Sequence, residues 1–98
     1  MRVVFLIPGQ LRAFTGGAGR VTVEVAPAGS APAAAGEALA ALWWLHPGVR
    51  DRVVTEQGEV RPHVNVFVGT ESIRWTGGLA TPVADGAEIS IVPAVSGG

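Results

Sequence analysis

The chain begins with an unbroken apolar run, Val3-Val4-Phe5-Leu6-Ile7, that follows Arg2 and is closed by Pro8-Gly9. A short β-branched and aromatic stretch without polar alternation predicts a strand buried on both faces, and therefore central in its sheet. Val21, Val23 and Val25 then alternate with Thr22 and Glu24, which predicts a second strand with one wet face. The segment Leu11 to Gly19 between them ends in Gly16-Gly17-Ala18-Gly19. A glycine cluster that joins two strands, rather than a strand to a helix, is a hairpin connection and not a dinucleotide fingerprint.

From Ala26 to Pro32 the residues are small, and Ser30 is placed to cap a helix with Pro32 near its first turn. Ala33 to Leu45 is rich in helix formers, and Ala35, Ala38, Leu39, Leu42 and Leu45 share one stripe at spacings of three and four. His46-Pro47-Gly48 is expected to stop this helix. Trp43 and Trp44 are neighbours, hence about 100° apart around the axis, so one of them is expected to be partly exposed. Its ring either lies over Val49 to Val54 or is offered to a partner.

Gly48 to Pro62 holds Arg50, Asp51, Arg52, Glu56, Glu59 and Arg61 and is expected to be a solvated connection. Val64, Val66 and Val68 alternate with Asn65 and Phe67, and after Gly69-Thr70-Glu71 a second run, Ser72 to Trp75, completes a hairpin. Gly77 to Gly86 is a loop with Asp85-Gly86 as its turn, and Glu88 to Val92 is the last alternating strand before Pro93. The order β-β-α-β-β-β predicts an α+β fold. It is the β-grasp arrangement, a mixed five-strand sheet with one main helix packed on one face and the last strand parallel to the first at the centre. Residues 1–93 would form a single domain, with 94–98 as an extended tail.

Composition narrows the chemistry. Of 98 residues 48% are hydrophobic and 15% charged, which supports one core. The formal charge of -1 and the scattered arginines give no basic face, so nucleic acid is not an expected partner. No apolar run approaches the roughly 20 residues that span a bilayer, and Arg2 to Ile7 is too short for a signal peptide. No membrane association is expected, and a cytoplasmic location is the default. Cysteine and lysine are both absent, which excludes disulfides, zinc–thiolate sites, side-chain persulfides, Schiff bases and a complete P-loop. His46 and His63 each adjoin a proline, with no carboxylate cluster nearby in sequence, so no metal site is expected. Ser96, in Val95-Ser96-Gly97-Gly98, lacks the context of a nucleophile elbow.

The most specific stretch is the end. After Pro93 the residues Ala94-Val95-Ser96-Gly97-Gly98 carry no bulky polar group, and five extended residues reach about 16 Å. Two terminal glycines remove every Cβ, so the last carboxylate can thread a narrow channel. Together with Arg74-Trp75-Thr76-Gly77-Gly78-Leu79-Ala80-Thr81-Pro82, Asp85 to Gly98, Arg61 to Val68 and the opening strand ending Ile7-Pro8, this resembles the ubiquitin-like sulfur carriers typified by MoaD and ThiS. Within them it is most similar to the CysO-type carriers of cysteine biosynthesis. Departures are the Gly69-Thr70-Glu71 turn, where asparagine often comes first, and the Trp43-Trp44 pair.

The resemblance implies a protein that is not an enzyme and binds no cofactor itself. A ubiquitin-activating-like adenylyltransferase and sulfurtransferase would use ATP and Mg to adenylate the Gly98 carboxylate, which becomes a thiocarboxylate, with Gly97, Ser96 and Val95 recognised as the tail. A PLP-dependent cysteine synthase would accept the sulfur, and a metalloprotease would release the product from Gly98. Docking is expected on the sheet face opposite the helix, at Phe67, Val92 and Pro93, unless a loop of the same chain covers Phe67. Two other roles stay open: the small subunit of a lasting complex such as molybdopterin synthase, and a covalent modifier joined to target lysines. The bland alternative is a structural β-grasp module.

Overall fold

The computed structural model describes residues 1–26 and 32–93. Its strands are β1 (Arg2–Leu6), β2 (Arg20–Glu24), β3 (Ala33–Ala34), β4 (Val64–Val68), β5 (Glu71–Ser72), β6 (Pro82–Val83) and β7 (Glu88–Pro93), and its helices are α1 (Ala35–Leu45) and α2 (Pro47–Val53). Five strands make one mixed sheet in the order β2-β1-β7-β4-β5, while β3 and β6 form a separate two-stranded ladder. The predicted β-grasp architecture is therefore present, with β1 and β7 parallel at the centre.

The parallel pair ends where proline ends it. Val4 pairs with Glu88, Phe5 with Ile89 and Leu6 with Ser90, and the Val4 N–H donates to Ala87 O at 2.9 Å. That phase, carried forward, makes Pro8 and Pro93 the next residues whose N–H groups would continue the ladder. Neither has one. At the other end the predicted Asp85-Gly86 turn holds β7 to β1. The Arg2 N–H donates to Asp85 Oδ1 and the Gly86 N–H to Arg2 O, both at 2.7 Å, with Gly86 at φ 83°.

Alternation decides what enters the core. Val3, Phe5, Ile7, Val21, Val23, Val64, Val66, Ile89 and Ile91 are buried against Ala35, Ala38, Leu39 and Leu42 of α1. The expectation that β1 is buried on both faces is corrected: Val4 and Leu6, on the face away from α1, are only partly buried. Both helices lie on one side, so a continuous apolar run here does not mean two covered faces.

Several local expectations also change. The segment Gly48 to Pro62, expected to be a solvated connection, is one only in its second half, residues 55–62. Pro47 occupies the first turn of α2, where its missing N–H costs nothing, and Val49, Val53 and Val54 are 0%, 0% and 3% exposed. An antiparallel bridge between Val54 and Val60 follows. Helix α1 starts at Ala35, with the Glu37 carboxylate accepting from Ala34 N–H at 3.0 Å, while Pro32 precedes β3. The expected cap Ser30 lies outside the described residues. Leu45 is 51% exposed rather than in the stripe, since the chain turns into α2 at Pro47. Trp43 packs at the core margin, but Trp44 is 87% exposed, so its ring does not lie over the α2 segment. Of the expected run Ser72 to Trp75 only Ser72 pairs; Ile73–Trp75 is a 3₁₀ turn, as are Gly9–Thr15 and Gly78–Ala80.

Arg74 ties the 73–80 turns to the entry of β4. One guanidinium nitrogen lies within donor range of the carbonyl oxygens of Arg61, Pro62 and Val64, at 3.1, 2.9 and 2.6 Å, while Nε donates to Asn65 Oδ1 at 3.3 Å. Thr81 supports the same turns from within, its hydroxyl donating to Gly78 O at 2.6 Å and its carbonyl accepting from Ala35 N–H. Because these contacts are partly open to solvent, Arg74→Ala is expected to lower unfolding free energy by about 1–2 kcal/mol. Arg74→Lys should recover little, an ammonium being unable to span the same acceptors. Urea unfolding of the three proteins tests this, and equal midpoints would refute it.

Candidate functional site

The chemistry expected of the tail falls on Val95, Ser96, Gly97 and Gly98, which lie outside the described residues. What the structure places is the surface that leads to them. Pro93 is the last residue of β7 and pairs with Val64 of β4.

The face of the sheet opposite α1 follows from the registers. Arg20, Leu6, Ser90, Phe67 and Ser72 form a row across all five strands, flanked by Thr22, Val4 and Glu88 on one side and by Val92 and Asn65 on the other. Val92 is 42% exposed, as its alternation with Ile89 and Ile91 requires. Phe67 does lie on this face, but it is half-buried rather than fully exposed. Its ring shares a groove of about 420 Å³ with Thr70, Glu71, Ser72, Arg74 and Trp75, so the chain's own turn crowds it. Val4 and Leu6 complete an apolar strip with Val92 and Phe67. Sequence reasoning missed them because it assigned β1 to an interior with two covered faces. The signal was available: one helical layer cannot cover both sides of an apolar strand. Trp75 was also missed as a surface residue, and at 85% exposed it stands at the β5 edge of the strip.

Charge is distributed unevenly along β7. Two grooves flank its C-terminal end. One, of about 380 Å³, is lined by Gln10, Leu11, Phe14, Arg52, His63, Val64, Ile91 and Pro93. The other, of about 390 Å³, is lined by Arg12, Gly19, Ser90, Val92 and the end of β1. Neither lining contains an acidic residue. The Arg52 guanidinium lies 4.9 Å from the centre of the Phe14 ring, and Arg12 Nε donates to Ile7 O at 3.1 Å, so both cations are held at the exit. Asp85, Glu88, Glu71 and Glu24 belong to the opposite end, where β7 begins, and two of them are paired there, Glu24 with Arg2 at 3.3 Å and Glu88 with Arg20 at 3.6 Å. Two of the arginines, Arg12 and Arg52, thus flank this end of β7, each in its own groove and from a different element. Among the described residues no three His, Asp or Glu side chains gather where they could hold a metal ion.

The arrangement can present a chain end, from an apolar strip with a cationic rim, to another protein. Among the described residues no hydroxyl side chain is hydrogen-bonded to a histidine or a carboxylate. Leu6→Ser should lower unfolding free energy by about 1–2 kcal/mol, since its side chain is only partly buried, whereas Phe5→Ala should cost about 3–5 kcal/mol. Denaturant titration separates the two, and comparable losses would mean that the strip is covered.

Comparisons with known proteins agree with this geometry. The ThiS family model matches residues 5–98. The sulfur carrier protein CysO of Mycobacterium tuberculosis is 36% identical over 104 aligned positions that take in 100% of both chains. Small archaeal modifier protein 1 of Haloferax volcanii is 38% identical over 81 positions, covering 83% of this chain and 86% of its own. Among solved structures, the BexX/CysO complex of Amycolatopsis orientalis holds a chain with a TM-score of 0.82 and 35% identity, covering 98% of this chain and 99% of that one. The CysO crystal structure from M. tuberculosis gives 0.80 at 33%, covering 95% and 99%.

Proposed function

This chain belongs to the ThiS family, a family of sulfur carriers and ubiquitin-like modifiers, and on that footing we propose that it carries sulfur as a thiocarboxylate on Gly98. The observation that carries the reading is the full-length match to CysO: it runs through all of both chains and so takes in Gly97 and Gly98. The open strip of Val4, Leu6, Phe67 and Val92 beside the last strand supports it, because a carrier needs an uncovered face on which a partner can sit while the chain end reaches inward.

The chemistry follows from the poor electrophilicity of a carboxylate. A Gly98 oxygen attacks the α-phosphorus of ATP on a ubiquitin-activating-like enzyme, and pyrophosphate leaves. Hydrosulfide then attacks the carbonyl carbon of the acyl adenylate, AMP departs with the bonding electrons, and loss of the sulfur's proton leaves the thiocarboxylate. ATP and Mg belong to that partner, and this chain acts as substrate rather than catalyst. Cysteine biosynthesis is the favoured destination: a PLP-dependent cysteine synthase accepts the sulfur, and a metalloprotease frees the product from Gly98. Val95 and Ser96 serve as the stretch of tail that the partner's channel grips, and Pro93 sets where it starts. The likeness to the modifier protein favours one second reading, in which Gly98 forms an isopeptide with a lysine of another protein; this chain has no lysine of its own to accept it.

Incubation with an activating enzyme, ATP, Mg and a sulfur source should raise the intact mass by the difference between sulfur and oxygen. Deletion of Gly98 should abolish the gain, and no gain in the unaltered chain would sink the proposal. Conjugates on target lysines in cell extracts would instead support the modifier reading. Phe67→Asp and Val92→Asp should each raise the KM for the carrier by roughly tenfold or more, as expected for truncated or repelled interface anchors. Arg12→Glu combined with Arg52→Glu should slow association most at low salt and little at high salt. A rate independent of both charges would remove the cationic rim from the docking surface.

A further inference from the structure

We propose that a second copy of this chain pairs with the free edge of β2, making a two-fold dimer whose sheet runs through both molecules. The first observation is which backbone groups point outward. Met1 N and the Val25 N–H exchange hydrogen bonds with each other's carbonyls at 2.8 Å, and the Ile7 N–H donates to Gly19 O at 2.9 Å. These bonds set the phase of the β1–β2 ladder, so Gly19, Val21, Val23 and Val25 direct their N–H and C=O groups toward β1. Arg20, Thr22 and Glu24 direct theirs away from it. Among the described residues no strand lies beyond them.

The second observation is that this edge is complementary to itself. The strand reads Arg20-Val21-Thr22-Val23-Glu24. Set antiparallel to a copy with Thr22 on the two-fold axis, Thr22 meets Thr22, Val21 meets Val23, and Arg20 meets Glu24 twice. All three outward residues then exchange their backbone hydrogen bonds, six in all by the antiparallel pattern. A parallel approach would instead set Arg20 beside Arg20. Opposite charges across an antiparallel pair stabilise it and like charges destabilise it.

The third observation lies under the edge. Trp44, 87% exposed, and Leu45, 51% exposed, line a groove of about 370 Å³ with Ala41, Thr22, Val23 and Glu24. Exposed large apolar side chains at the end of α1 have no explanation within the described fold. A two-fold axis perpendicular to the sheet keeps both α1 helices on the same side, so the two copies' Trp44 and Leu45 approach each other beneath the new strand pair. The interface is isologous and closes on itself, which stops the edge from recruiting further chains. It also leaves the strip of Val4, Leu6, Phe67 and Val92 uncovered, and the two β7 strands leave the sheet in opposite directions.

Sedimentation of the full chain from micromolar to millimolar concentration should show a monomer–dimer equilibrium. Arg20→Glu and Glu24→Arg should each weaken association by about tenfold, because each turns both cross-strand pairs into like charges. The double variant Arg20→Glu/Glu24→Arg should restore it. Trp44→Ser should weaken the dimer without changing monomer circular dichroism, which covers the case in which a charge variant folds poorly. A monomer at millimolar concentration overturns the proposal, as does a dimer indifferent to Arg20→Glu. Binding of an extended peptide to a strictly monomeric chain, lost in Trp44→Ser, would assign the edge to another occupant and also overturn it.

Discussion

The parallel pairing of β1 with β7 is the constraint on which the rest depends. It joins the first strand of the sheet to the last, so the loop-closure entropy of nearly the whole chain must be met before it can form. The Asp85-Gly86 turn meets Arg2 at one end through two short hydrogen bonds. At the other end Pro8 and Pro93 arrive together at positions where the ladder needs N–H groups. The centre of the sheet is therefore closed at the Asp85-Gly86 turn and stopped at the two prolines. Pro93 stands between a rigid strand and the segment that carries the proposed chemistry.

That stop has value only because the sheet has one covered face. Two helices pack on the side of Val3, Phe5, Ile89 and Ile91, and nothing among the described residues covers Val4, Leu6 and Val92. Keeping apolar side chains half in water forgoes hydrophobic stabilisation that a second layer would supply. On the proposed function a partner's surface completes that burial. The exposed Trp75 and the crowded Phe67 extend the strip toward β5, away from the free edge at β2. The two surfaces lie on different parts of the sheet and need not compete.

Most of the fold was legible in the spacing of apolar residues, for reasons that differ from element to element. Strands β2, β4 and β7 alternate cleanly because one side of each faces α1 and the other faces water or a partner. Helix α1 was visible from Ala35 to Leu42, where every third or fourth residue is buried. Helix α2 was not, since Pro47 is equally at home after one helix and in the first turn of the next. Its two buried valines, Val49 and Val53, are separated by Arg50, Asp51 and Arg52, which dominate the average polarity of so short a segment. The pairing of β3 with β6 was hidden for another reason: two residues on each side carry no periodicity, and the ladder exists only because tertiary contacts align them.

The proposed site rests on a different kind of reading. Its chemistry rests on what the chain lacks: without cysteine or lysine, no side chain can hold or transfer a sulfur atom covalently as a thiol, persulfide or Schiff base can. On the proposed function the activation of Gly98 comes from a partner enzyme. On that reading the fold's contribution is positional, and the described residues offer an apolar strip, two arginines held by Phe14 and by Ile7 O, and a proline as the last residue of β7. Arg12 and Arg52 are 40 residues apart in sequence and reach opposite sides of β7 only through the 3₁₀ turn and α2. No composition or spacing could have placed both beside β7, because their positions are a property of the packing of those two elements and not of either one.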